Sequence, residues 1–113
     1  MADYLKPHRF SVYGISFDVT FDNADLELEY GNPKWFTVTY ALARKVGTVK
    51  TLGAKSILNP KDTFNHQLGQ KKAFERIINL VWASWVDPKV VLRKEFSKKI
   101  WIISFAIGMW DEE

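Results

Sequence analysis

Lys71, Lys72 and Arg76, followed further along by Lys89, Arg93, Lys94, Lys98 and Lys99, are the residues of this chain best able to do chemistry, and that chemistry is the holding of phosphate. Each ammonium or guanidinium laid along a phosphate backbone displaces condensed counterions, so binding strengthens with each contact and weakens with salt. The net charge of +3, from 16 basic and 13 acidic residues, hides how concentrated these cations are. Residues 1–33 set Lys6 and Arg9 against Asp3, Asp18, Asp22, Asp25, Glu27 and Glu29, whereas residues 34–110 hold fourteen Lys or Arg against Asp62, Glu75, Asp87 and Glu95. A fold that gathers those cations presents a basic surface, and one that scatters them merely solubilises its polar faces.

Other chemistries lack their partners. A zinc site needs three or four converging ligands, and the chain offers only two histidines, His8 and His66, with no Cys. No metal or cofactor is therefore expected, nor any disulfide or thiolate nucleophile. A catalytic His would need a partner in a pocket, and no such pairing is written in the sequence, so no catalytic residue is assigned and a non-enzymatic protein is expected. The stretch Gly47 to Ser56, GTVKTLGAKS, approaches a phosphate-binding loop, but five residues rather than four separate its glycines and Ala54 precedes Lys55. Nucleotide binding there is rejected, and no small-molecule substrate is expected. The carboxylates Asp18, Asp22, Asp25, Glu27 and Glu29 lack calcium-loop spacing and read as the solvated face of a hairpin or a patch for a basic partner.

A chain of 113 residues is sized for one domain, residues 1–113, with one core. Its five Trp, eight Phe and four Tyr are enough to supply that core. Any of Trp35, Tyr40, Trp82 and Trp101 left exposed would suit base stacking, although Trp82 falls on an apolar face. The opening MADYLKPHRF has no apolar signal core. The longest apolar run, Ile100 to Trp110, is about half the roughly 20 residues that span a bilayer. A cytoplasmic location without membrane contact is the expectation.

The elements that must position the cations follow from periodicity. Tyr13, Ile15, Phe17, Val19 and Phe21 alternate with small or polar residues as a strand does, while Phe10 and Val12 lie out of phase, which predicts a bulge at Tyr13-Gly14. Asp22-Asn23-Ala24-Asp25 predicts a turn, and Leu26, Leu28 and Tyr30 a returning strand. After a second turn at Gly31 to Lys34, Trp35 to Ala43 reads as a strand with Phe36, Val38, Tyr40 and Leu42 on one face. Val46 to Leu52 reads as a weaker fourth strand.

Asn59 and Pro60 then carry a helix-start signature, with Asp62 in the first turn. The helix from Asn59 to Trp85 places Phe64, Leu68, Phe74, Ile78 and Trp82 toward the sheet, with Lys71 at that margin so that its stem packs and its charge reaches water. Asn65, Lys72, Arg76 and Asn79 share another stripe, and Gly69 marks a local break or a close approach. Asp87-Pro88 predicts a second short helix over 88–98, in competition with a β-hairpin, and 100–110 reads as a strand. The whole is α+β: an antiparallel sheet of four or five strands with one long helix packed on one face. The expected contact residues are Asn65, Lys72, Arg76, Asn79, Arg93, Lys94, Lys98 and Lys99.

Pro60, Asp62, Phe64, Gly69, Lys71, Lys72 and Arg76 resemble the Pro-x-Asp-x-Phe, Gly, basic cluster, Arg signature of a loose group of small, mostly uncharacterised bacteriophage proteins. The match covers about 20 of the 113 residues, and Gln70 stands where that group has Arg directly after Gly. The resemblance implies a phage or mobile-element origin and action in the host cytoplasm. It also implies a protein that binds nucleic acid or inhibits a host nucleoprotein complex, such as a CRISPR effector, a restriction enzyme or a polymerase. The alternative is a protein-interaction or assembly module using the acidic hairpin or an edge strand, and a homodimer stays open.

Overall fold

Phe10 falls out of phase with Phe17 because the two belong to different strands. The computed structural model describes residues 6–28, 34–58 and 66–110. In it β1 (His8–Val12) pairs antiparallel with β2 (Ile15–Leu28), setting Phe10 opposite Phe17 and Val12 opposite Ile15. Tyr13 and Gly14 join them with φ of 48° and 79°. Two successive positive φ values are the signature of the tight hairpin turn whose twist matches that of strands. The expected bulge is thus a turn.

The expected turn at Asp22 to Asp25 is absent. β2 runs unbroken to Leu28 against β3 (Lys34–Lys45), pairing Asp22 with Tyr40 and Asp25 with Thr37. The turn preference of Asx residues gives way to a continuous hydrogen-bond ladder. Most of the predicted turn at 31–34 lies outside the described residues. The fourth strand is also displaced: Lys45 to Lys50 close a turn in which Gly47 has φ of 79°, and β4 is Thr51–Leu58. The order β1-β2-β3-β4 makes a four-stranded antiparallel meander.

Phe17, Val19 and Phe21 of β2 are buried, as are Thr39, Ala41 and Ala43 of β3 and Ser56 of β4. α1 (His66–Trp85) lies over β3 and β4 on that face. Its predicted cap at Asn59-Pro60, and Phe64, fall outside the described residues. Phe74 and Ile78 are buried as expected, but Leu68 is 41% exposed, and Ala73 and Ile77 are buried instead. The inward side is rotated because small residues let the helix approach: a Cβ on Gly69 would stand 2.7 Å from the Thr39 hydroxyl oxygen. There the Ser56 hydroxyl donates to the Gly69 carbonyl at 2.8 Å. Gly69 serves the sheet and not an external partner.

Residues 100–110 are not a strand. α2 (Arg93–Ala106) continues through them, and it begins beyond Pro88 with Leu92 as its N-cap. Asp87 makes one local turn, accepting from the Lys89 amide on its carboxylate at 2.9 Å and from the Val90 and Val91 amides on its carbonyl. Phe96, Ile100 and Ser104 form the buried stripe of α2 at a spacing of four, and this stripe outweighs the β-branched residues between them. Gly108, with φ of 72°, ends the helix: its amide donates to Phe105 O at 3.1 Å and that of Met109 to Ser104 O at 3.0 Å. Trp110 then folds back, donating its indole N–H to the buried Ser104 hydroxyl at 2.9 Å. Phe74 is the hub, with the rings of Phe10, Phe21, Trp101 and Trp110 between 4.9 and 6.2 Å away.

Candidate polyanion-binding groove

α1 and α2 are in contact, and the cations that line the groove between them come from α2. Glu75 and Asn79 of α1 and Arg93, Lys94, Ser97 and Lys98 of α2 line an open groove of about 450 Å³. Three cations face one carboxylate, so the groove favours an anion. The position of α2 follows from its inner stripe. With Phe96, Ile100 and Ser104 turned into the core, Lys94 and Lys98 must project one turn apart on the outer side. The Trp82 indole, donating to Val91 O at 2.9 Å, fixes the segment that leads into α2.

Four of the eight predicted contact residues therefore converge: Asn79, Arg93, Lys94 and Lys98. Arg76, Lys72 and Lys99 do not join them. Arg76 donates to the Lys55 carbonyl on β4, so its guanidinium secures the helix to the edge of the sheet. Lys72 is exposed on α1 outside the groove. Lys99 turns to the far side of α2, its ammonium 4.9 Å from the Tyr13 ring centroid, where it braces the β1–β2 turn. Asn65 lies outside the described residues. Lys71 behaves as its helical position implies: its ammonium sits 5.8 Å from the ring centroids of both Phe105 and Trp110.

Phe105, which the alternation of residues 100–110 assigns to a strand, stands 55% exposed on α2. The recurrence of Lys94, Lys98, Trp101 and Phe105 at intervals of four, three and four was the available signal, since that spacing puts all four on one helical stripe. On the opposite side of the sheet Asp18 is paired. Arg9 donates to both Asp18 carboxylate oxygens at 2.9 and 3.1 Å, and those hydrogen bonds hold the Asp18 carboxyl below its ordinary pKa. Burial lowers the pKa of His8 at the start of β1.

Among the described residues no three of His, Asp and Glu are placed to hold a metal ion, and no described helix is long and apolar enough to cross a membrane. Comparison with protein-family models, with curated proteins and with solved structures finds no match in any of the three. The functional reading therefore stands on this α+β chain's own geometry.

Proposed function

We propose that the protein binds nucleic acid without catalysis, through the groove between α1 and α2, either directly or within a host nucleic-acid-processing or defence complex. The observation that carries this reading is the convergence of Arg93, Lys94 and Lys98 with Asn79 around one open groove. The cations supply sequence-independent attraction to phosphate, and Asn79 and Ser97 add neutral hydrogen-bonding groups. The bacteriophage resemblance of the Pro60 to Arg76 segment fits a small accessory protein that meets nucleic acid in the host.

Titration of labelled DNA and RNA over a salt series tests it. For each phosphate neutralised, log K should fall against log salt with a slope of about −0.9 for duplex and about −0.7 for single strands. Charge reversal at Lys94 and Lys98 together should abolish binding. Absence of retention on heparin and on nucleic acid at about 50 mM salt would sink the proposal.

A second reading, a protein-interaction module, is favoured by the outer sheet face. There Tyr40, Leu42, Gly53, Ala54 and Lys55 line a shallow hollow of about 290 Å³, and Leu42 is 45% exposed. A complex that survives nuclease treatment and is lost in Leu42→Glu would establish it.

A further inference from the structure

We propose that the groove takes a single strand in preference to a duplex, and that Phe105 is the platform on which one of its bases stacks. This rests on the nucleic-acid reading above and adds to it which form is bound and where the base sits.

The exposed side of α2 changes character along its length. Arg93, Lys94 and Lys98 occupy its first half, and Ile102 at 59% and Phe105 at 55% exposure occupy its second. Lys94, Lys98, Trp101 and Phe105 form one continuous stripe, so the apolar end extends directly from the basic groove. Lys98 and Phe105 are two helical turns apart, about 11 Å along the axis. A strand whose phosphates lie on Lys94 and Lys98 therefore reaches the ring.

The ring is supported from behind. Trp101 meets Phe74 edge-on at 4.9 Å and stacks with Trp110 at 5.7 Å, and Phe105 lies 6.3 Å from Trp101. Trp101 is anchored by the core on one side and backs Phe105 on the other. The Lys71 ammonium stands over the Phe105 ring, 5.8 Å from its centroid, so the base stacks on the part of the ring that this cation leaves open and keeps it within reach of its phosphate. Basic track, supported aromatic and flanking cation are the parts that single-strand binders combine. A duplex keeps its base faces stacked on one another, so it presents sugar and phosphate to an exposed ring and gains nothing from it. The charge of the adjoining groove argues for the nucleic-acid occupant over an apolar peptide.

The test compares a labelled single-stranded oligonucleotide, the same sequence as a duplex, and heparin, against the intact protein and its Phe105 variants. Phe105→Ala should weaken single-strand binding about 5- to 150-fold, the range expected for loss of one base–aromatic stack. Duplex and heparin affinity should be unchanged. Phe105→Trp should retain single-strand affinity, whereas Phe105→Leu, which keeps apolar surface without an aromatic face, should lose it. Far-UV circular dichroism and urea midpoints confirm that each variant is folded. Unchanged single-strand affinity in Phe105→Ala, or duplex binding as tight as single-strand binding, overturns the stacking inference and leaves the groove reading standing. Failure of the unaltered protein to bind heparin or any nucleic acid overturns both. Partition onto anionic lipid vesicles that depends on Phe105, without a matching effect on single strands, assigns the apolar end to a lipid surface and overturns the inference.

Discussion

α1 and α2 are both rich in Lys, Arg and bulky apolar residues, yet the first spends them on the fold and the second leaves many at the surface. In α1, Gly69, Ala73, Phe74, Ile77, Ile78 and Val81 are all buried. Arg76 is bonded to the β4 backbone and Lys71 lies over two aromatic rings. In α2 only Phe96, Ile100 and Ser104 are buried, and Arg93, Lys94, Lys98, Ile102 and Phe105 remain exposed or line the groove. The difference is one of neighbours. α1 packs against both the sheet and α2, whereas α2, among the described elements, meets mainly α1 and β1. A basic cluster in sequence is thus no guide to a binding surface until the number of packing partners is known.

The strongest way to break this contrast is Phe74→Ala, which removes the ring at the centre of the aromatic core. A loss of about 3–5 kcal/mol is expected in urea unfolding, against less than about 1 kcal/mol for Phe105→Ala at its exposed position. Similar losses for the two would erase the distinction between the helices. Gly69→Ala comes next. Helix propensity alone would stabilise by about 1 kcal/mol, but the added methyl lies 2.7 Å from the Thr39 hydroxyl oxygen, and overpacking costs about 1–3 kcal/mol. A net loss of stability is expected, and a rise in the urea midpoint would show that α1 is not seated tightly on the sheet. The smallest effect separates two arginines: Arg76→Ala should cost about 1 kcal/mol of stability, and Arg93→Ala should stay within about 0.5 kcal/mol. Oligonucleotide binding should rank them in reverse, with Arg93→Ala the more damaging.

The α+β class, the alternation from Ile15 to Phe21 and the helix containing Phe74 and Ile78 are legible because burial imposes a period on bulky residues. Close approach is less legible, since it is made by what is missing. Gly69 and Ala73 turn α1 inward on a side where the first half of the helix carries no large apolar group and only Ile77 follows further on, and Leu68 is left partly exposed in consequence. Residues 100–110 mislead for a different reason. The alternation of Trp101, Ile103, Phe105, Ile107 and Met109 imitates a strand, while the decisive stripe runs through Ser104, a polar residue whose hydroxyl is satisfied within the core by Trp101 O and the Trp110 indole. The groove cations could be named from charge alone. Their grouping could not, because it depends on how α2 turns once Phe96 and Ile100 are buried.

The meander has a consequence in time. Each strand pairs with its neighbour in the chain, so the sheet can zip up one hairpin after another with short loops to close at every step. All four strands precede both helices in the chain, so during synthesis Phe10, Phe17, Val19 and Phe21 have no helix to cover them until residues 66–110 follow. Trp110, near the end of the chain, is the last of these rings to be made, and it closes over Phe21 and Phe74.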